Sequence, residues 1–244
     1  MKDNQFSTSK LVNPVYPIKA ERLGSLRSSE LFSGISEHEC AHISSAAVRR
    51  TFARHETLFM QGQEVRNLIL LQSGNVKHTQ VSPDGGEALL RISSAGDIVG
   101  VQGLSSIRCH TCSGRATVEC RALVWEHDQM QNYFARYPCL GVNMTRILAA
   151  QLNELEERFC EVATERLTKR LALLLLRLSK QMGKQSGNGN RILLSREEIA
   201  QMTGATVFSI SRMLSQWSDQ GLILTARESV IVCDPEGLEL MNGT

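Results

Sequence analysis

The sequence predicts an α+β chain in which an antiparallel β-barrel or jelly roll precedes a long amphipathic helix and a winged helix-turn-helix. Short β-rich runs separated by glycines fill residues 50–128, as expected for a barrel of short strands. An apolar heptad pattern runs through residues 140–164. A capped helical pair with a glycine turn occupies residues 193–223. A chain of 244 residues has room for two such domains.

The first 28 residues are predicted to form a poorly ordered arm. They are polar, Pro14 and Pro17 interrupt them, and they keep no helical or strand period. Only the last part of the arm is expected to pack on the fold. The remaining domains are placed at residues 29–138 for the barrel, 139–164 for the dimerisation helix and 165–244 for the winged helix-turn-helix domain.

The barrel prediction rests on strands with turn residues between them. Residues 83–86, Pro-Asp-Gly-Gly, separate two β-rich runs and are typical of a hairpin turn. A short helix is expected to end at Pro138. The glycines predicted at the corners of the barrel are Gly62, Gly74, Gly86, Gly96 and Gly100.

The stretch from Leu140 to Thr164 is predicted to form one long helix with a narrow apolar seam. Charged residues surround the seam, a pattern that suits a two-stranded coil between two copies of the chain. The alternative is a helix that lies on its own barrel. The predicted dimer interface consists of Leu148, Leu152, Leu155, Phe159 and Val162.

Two helices separated by a tight turn are predicted between Leu193 and Ile223. Ser195 and Glu198 have the spacing of a capping box, so the first helix is expected to begin after Ser195 and to end near Met202. A turn at residues 203–205 leads to a second helix that Thr206 is placed to cap. Its inner face carries Ile210, Met213, Leu214 and Trp217 at helical spacing. The end of the chain, 221–234, predicts a two-stranded wing.

The outer face of the second helix carries short polar side chains around one arginine and one aromatic ring, which suits close approach to DNA base edges. Residues 166–216 hold nine Lys or Arg and two acidic residues, a net +7 in a chain of net +2. Such an excess indicates a phosphate-binding surface. An ordinary helical hairpin in a core is the alternative. The predicted DNA-binding residues are Arg196, Thr206, Phe208, Ser209, Ser211, Arg212 and Ser215.

Composition and motifs also exclude classes of protein. No apolar run reaches the roughly 18 residues of a membrane span, and the first residues lack a signal-peptide core, so we expect a cytoplasmic protein without membrane association. The seven cysteines form an odd, scattered set, which argues against structural disulfides. The sequence contains no nucleophile elbow, phosphate-binding loop or zinc-protease motif, so we do not expect an enzyme.

Taken in order, these elements resemble the CRP/FNR family of bacterial transcription regulators. The likeness covers about residues 30–235 and is carried by the segments 71–100, 165–176 and 194–223. It implies a cyclic-nucleotide-binding-like barrel that senses a small signal, and a homodimer that binds a near-palindromic promoter site in double-stranded DNA and contacts RNA polymerase. A regulatory barrel subunit that binds a partner protein instead of DNA is the alternative.

The likeness extends to the recognition helix. Family members commonly carry a Glu at the position of Phe208 and an Arg at that of Arg212. Arg212 is able to donate two hydrogen bonds to a guanine. Phe208 is expected either to pack on a thymine methyl group or to turn inward, so the base pair that the Glu would contact is predicted to differ.

The sequence departs from the family where the members that bind cyclic AMP hold their ligand. In those members the Gly-Asp-x-x-Gly turn precedes a Glu for the ribose, and an Arg-Ser pair holds the phosphate. Here Val101 and Gln102 follow the turn, and the Arg-Ser position falls on Thr111-Cys112 or Cys112-Ser113. Because a buried phosphate without a guanidinium partner is costly, we do not expect cyclic AMP as the effector.

Other cofactors are judged from the cysteines. Residues 1–39 contain none, whereas the iron–sulfur members carry an N-terminal cluster, so an iron–sulfur cofactor is not expected. The run 109–120 holds Cys109, His110, Cys112 and Cys120, without a second pair that would complete a zinc site. Ordinary packing, haem ligation through His110 or a cysteine, and a redox thiol stay open. The candidate effector residues are Val101, Gln102, His110 and Cys112.

Overall fold

The N-terminal end of the described chain is helical. The computed structural model describes residues 18–101, 109–186 and 189–241. Helix α1 spans Ile18–Arg27 and helix α2 spans Glu37–Ser45, with a 3-10 turn at Glu30–Phe32 between them. Leu26 is fully buried in a core cluster with Leu31 and Trp125. The last part of the predicted arm packs on the fold as expected, but the helix over Ile18–Arg27 was not predicted, because packing stabilises a helix that has little amphipathic pattern of its own.

Two four-stranded antiparallel sheets face each other and confirm the jelly-roll prediction. One has the order β1-β8-β3-β6 and the other β2-β7-β4-β5. The predicted hairpin joins β4 to β5, with Val81 paired to Glu87. The strands are β1 (Val48–Phe52), β2 (Thr57–Phe59), β3 (Asn67–Ser73), β4 (Val76–Val81), β5 (Glu87–Ser93), β6 (Ile98–Val99), β7 (Ser113–Ala116) and β8 (Cys120–Glu126).

Strand β5 contains a bulge. Thr79 pairs with Leu89 and His78 pairs with Arg91, so Leu90 has no partner on β4. An extra residue breaks the strict alternation of side chains between the two faces of a strand. Leu90 consequently packs on the core between the barrel sheets, whereas Leu89 and Ile92 pack with the C-terminal domain.

Three helices connect the barrel to the C-terminal domain. They are α3 (His127–Arg136), α4 (Pro138–Thr164) and α5 (Leu167–Met182). The predicted long helix is confirmed as α4. Its first turns are held to the barrel, because Leu140 is fully buried and the Asn143 side chain donates to the carbonyls of Leu31 (2.9 Å) and Ser33 (2.7 Å).

The C-terminal domain combines helices with a four-stranded antiparallel sheet of order β11-β12-β10-β9. The sequence predicted only the last two of these strands. The other two lie in a polar, glycine-containing stretch without alternation, and the pairing of Asn190 with Val232 holds them to the wing. The elements are β9 (Lys184–Ser186), β10 (Gly189–Ile192), α6 (Arg196–Thr203), α7 (Val207–Asp219), β11 (Ile223–Ala226), β12 (Ser229–Val232) and α8 (Pro235–Leu240). Among the described helices, none has the length and apolar content needed to cross a membrane.

Two barrel glycines allow the contribution of close packing to be measured. Gly74 and Gly85 have φ of 87° and 84°, but a Cβ on Gly74 would lie 2.5 Å from the carbonyl oxygen of Glu119, whereas one on Gly85 meets nothing within 4 Å. Both alanine variants incur the cost of the left-handed backbone, and only Gly74→Ala must also displace backbone. We expect Gly74→Ala to lower the free energy of unfolding by about 2 kcal/mol more than Gly85→Ala in denaturant titrations. Equal losses would contradict this packing.

Candidate functional site

Helices α6 and α7 are fixed at their ends by side-chain caps. The Ser195 hydroxyl accepts from the Glu198 amide (3.2 Å), and the Glu198 carboxylate accepts from the Ser195 amide (2.8 Å), which confirms the predicted capping box. Gly204, with φ of 65°, ends α6, and Thr206 Oγ1 accepts the amide of Ser209 (3.1 Å). These local bonds set the angle at which α7 leaves the turn.

Helix α7 has a buried face and an exposed face. Ile210, Leu214 and Trp217 are buried in the core of the domain. Phe208 is 77% exposed, so the inward orientation considered for it does not hold. Arg212, four residues on and therefore on the same face, is exposed as well. Of the other predicted DNA-binding residues, Arg196, Thr206 and Ser215 are exposed, and Ser209 and Ser211 are half-buried.

The nine basic residues counted in the sequence do not form one surface. Three of them hold α5 against the end of α4 instead of facing outward with α7. They are Arg177 with Glu161 (2.5 Å), Lys169 with Glu165 (2.9 Å), and Arg170 with the Val162 carbonyl (3.0 Å). The net charge of this segment therefore overstates the basic surface beside α7, where Arg196 and Arg212 are exposed.

The predicted seam of α4 is exposed in the single chain. Its five side chains expose between 43% and 74% of their surface, a set made up of Leu148, Leu152, Leu155, Phe159 and Val162. A helix that used this stripe to pack on its own barrel would bury it. The structure thus leaves an apolar face along α4 available to another surface.

A cavity of about 480 Å³ lies between the barrel and α4. Val101, Thr111 and Cys112, three positions singled out in the sequence, line it together. The ring of His110 is not part of the lining, because it is buried and stacked on Phe59 with 4.1 Å between ring centroids. The fourth candidate residue, number 102, lies outside the described residues.

Arg91 of β5 also lines this cavity, and sequence reasoning missed it. The Arg-Ser position at Thr111 and Cys112 carries no arginine, and Arg91 brings a guanidinium to the cavity from a different strand. Arg91 follows the bulge in β5, where the strict alternation of side chains is interrupted, so the sequence pattern did not give its direction. A single charged residue within the apolar run of residues 88–92 was the available signal.

Arg91 borders a polar cluster inside the barrel. His78 Nε2 lies 2.9 Å from Ser93 Oγ, and Cys112 Sγ lies 3.8 Å from His78 Nδ1. Burial, with smaller contributions from Arg91 and His110, holds the pKa of His78 well below its ordinary value. Burial also raises the pKa of the Cys112 thiol. A thiol with less thiolate reacts more slowly with oxidants, which weakens the redox interpretation for Cys112.

The described parts of the chain contain no cluster of side chains that could bind a metal ion. Over residues 18–101, 109–186 and 189–241, no group of three or more His, Cys, Asp or Glu side chains is placed to hold a metal ion. Cys109 is exposed and Cys120 is buried in the barrel core. These two cysteines of the run 109–120 therefore lie in different surroundings, one at the surface and one in the core.

The barrel and the C-terminal domain contact each other through β4 and β5. Lys77 Nζ lies 2.7 Å from a carboxylate oxygen of Glu198, and both side chains are largely buried. Gln181 of α5 donates to the Ile92 carbonyl (2.7 Å), beside the packing of Leu89 and Ile92 on the C-terminal core. Strand β5 thus lines the cavity and also packs on the C-terminal domain, and Ile92 takes part in both contacts.

Comparison with known families matches both domains. Residues 49–137 match the cyclic nucleotide-binding domain, and residues 169–241 match the Crp-like helix-turn-helix domain.

Individual proteins resemble the chain over most of its length. The CRP-like cAMP-activated global transcriptional regulator of Mycobacterium tuberculosis is 28% identical over 210 residues, 85% of this chain and 94% of that protein. The fumarate and nitrate reduction regulatory protein of Escherichia coli is 22% identical over 86% of this chain and 84% of its own. A solved CRP-family transcriptional regulator from Thermus thermophilus has a TM-score of 0.69 and 29% identity, with 80% and 97% of the two chains covered.

The neutral state of His78 predicts a dependence of stability on pH. Because the pKa of His78 is lowered in the folded protein, the unfolded chain binds more protons once the pH falls below the ordinary value of 6.5. The free energy of unfolding should therefore fall between about pH 7.5 and 5.5, by at most about 1.4 kcal/mol per pH unit for this one proton.

The variant His78→Gln should show a smaller fall, and His38→Gln, which changes an exposed histidine, should behave as wild type. Denaturant titrations at each pH measure the slope. If His78→Gln does not fold, the imidazole NMR signals of the native protein give the same answer, because a His78 ring that titrates near pH 6.5 would contradict the assignment.

Proposed function

This chain belongs to the CRP/FNR family of bacterial transcription regulators, and from that premise we propose that it acts as a homodimer on a near-palindromic promoter site. It is a DNA-binding transcription regulator and not an enzyme. The proposal is carried by the outer face of α7, where Phe208 and Arg212 are exposed side by side. A helix presented in this way fits the major groove of B-DNA.

Arg212 is the side chain that we propose reads a guanine in each half-site. Its guanidinium is able to donate to O6 and N7 of one base. Phe208 supplies an apolar surface for a thymine methyl group at the neighbouring base pair. Arg196, at the start of α6, and the serines of α7 are proposed to contact phosphates, which would position the helix without reading sequence.

The homodimer is proposed from the exposed stripe on α4. Its side chains repeat at heptad positions, and such a seam packs on an identical seam related by two-fold symmetry. The same symmetry would place two α7 helices on successive half-sites. A second copy of α4 is therefore the partner proposed for this face.

The cavity between the barrel and α4 is the proposed effector site. Val101, Cys112 and Arg91 line it, and its apolar side is formed by residues of the α4 seam. Gln102 is included in the proposed effector site on the basis of the sequence. His110 is proposed to support the site indirectly, by packing on Phe59. Ligand binding there would act on β5, which also packs on the DNA-binding domain through Leu89 and Ile92.

The identity of the signal is proposed by exclusion and by resemblance. Cyclic AMP is not the proposed effector, since Val101 stands where family members that bind it carry the ribose-binding Glu. An iron–sulfur cofactor is not proposed, because residues 1–39 contain no cysteine. For haem, the one proposed ligand on the cavity wall is Cys112. Contact with RNA polymerase and a cytoplasmic location follow from the proposed role at promoters.

The dimer proposal predicts a change of assembly on mutation. Leu155→Glu places like charges opposite each other at the two-fold axis, so we expect a monomer at concentrations where the wild-type protein is a dimer. Asn153→Glu, which adds the same charge on another face of α4, should leave the dimer intact. Sedimentation equilibrium measures both. An intact dimer for Leu155→Glu would place the interface elsewhere.

The recognition proposal predicts separate effects of two arginines. Arg212→Ala should cost roughly 1–3 kcal/mol of specific binding and relax the preference for one G·C pair per half-site. Arg196→Ala should weaken binding to all sequences alike and reduce the salt dependence. Selection from a random DNA pool, followed by binding titrations at several salt concentrations, separates the two.

The same selection tests Phe208. Phe208→Glu should change the selected base pair next to the guanine, and an unchanged half-site would remove Phe208 from the recognition model. Failure of the wild-type protein to bind any duplex would favour the alternative of a barrel subunit with a protein partner.

A further inference from the structure

The guanidinium of Arg91 is half-buried but has little hydrogen bonding to the rest of the described chain. Within the described chain it makes one long hydrogen bond, from Nη1 to Ser93 Oγ at 3.3 Å, and no ion pair. Asp97 and Glu154 are its acidic neighbours, but the Asp97 carboxylate accepts the Ser94 amide (2.8 Å) and Glu154 is exposed. A guanidinium has five N–H donors, so most of the capacity of Arg91 is unused by this chain.

Neighbouring arginines are bonded differently. Arg177 makes a two-point ion pair with Glu161, and Arg158 donates to the Leu90 carbonyl. Both are thereby engaged in holding α4 to the domains on either side. Arg158 also lines the cavity, so Arg91 is the one of the two lining arginines that lacks a strong partner within the described chain. A half-buried charge in that state is stabilised by an anion.

The rest of the cavity wall is partly apolar and partly polar, and Asp97, Glu154 and Arg158 are its other charged residues. A volume of about 480 Å³ is within the range of small-molecule sites. The apolar part of the wall, formed largely by leucines of α4, favours a hydrocarbon body there, because polar groups buried against it would lose their hydrogen bonds to water. The apolar lining residues are Leu90, Ile92, Val101, Leu148, Leu152 and Leu155.

We propose that the effector is an organic carboxylate with an apolar body, whose charged end binds Arg91 and whose body packs against α4. This inference rests on the proposed function, which places the effector in the cavity. Two parallel hydrogen bonds from the guanidinium fit a carboxylate, and they would complete the bonding that Ser93 begins. The partner helix of the proposed dimer would cover the apolar body.

The test compares acids with uncharged molecules of the same shape. Octanoate and benzoate are titrated against octanol and benzyl alcohol, and the melting temperature and the Kd by calorimetry are measured for the full-length protein. At least one acid should bind about ten-fold more tightly than its alcohol. Equal binding of acids and alcohols, or binding of neither acid, would overturn the inference. So would a larger shift with cyclic AMP or inorganic phosphate than with either acid.

Variants assign the charge to its site. Arg91→Met should remove the advantage of the acid over the alcohol, and Arg66→Met, which removes an exposed arginine of the same domain, should keep it. An unchanged preference in Arg91→Met would overturn the inference. If that variant does not fold, the wild-type comparison of acid and alcohol still decides. DNA binding is measured in parallel, because intact DNA binding without carboxylate binding rejects only this inference, whereas absent DNA binding rejects the proposed function.

Discussion

The arrangement of this molecule depends on one strand that belongs to two cores. Across the bulge in β5, Leu89 and Ile92 pack with the C-terminal domain, whereas Leu90 packs in the barrel core. With regular alternation, residues 89 and 92 would lie on opposite faces, and the strand could not pack both side chains on α5 and α6. One extra residue therefore lets the barrel pack directly on the DNA-binding domain, in addition to the helices that connect the two.

Features that depend on near neighbours in the chain were predictable. The capping box of Ser195 and Glu198, the Gly204 turn and the Thr206 cap each involve residues three or four apart, and the structure reproduces all of them. The jelly roll followed from short strands with glycines between them, because that pattern is also local. Residue Phe208 is exposed because the apolar spacing of α7 already fills the other face.

Features that depend on distant partners were not predictable. Helix α1 is stabilised by burying Leu26 against residues that follow it, and β9 and β10 are held by pairing with β12. The contribution of Arg91 to the cavity was not predictable for a related reason, because Arg91 follows a bulge that only the pairing with β4 reveals. Counting charge along the chain likewise missed that Arg177 is bonded to α4.

Glu198 makes contacts within its own helix and a contact between the two domains, and only the first kind would remain if the domains separated. Its bonds to Ser195 lie within α6, whereas its ion pair with Lys77 crosses between domains. Separation of the domains would therefore break the second contact and keep the first, so the helical pair would travel as a rigid body with its cap intact. Such a movement would expose the opposite charges of Lys77 and Glu198 to water. The free energy difference between docked and released domains should therefore depend on ionic strength.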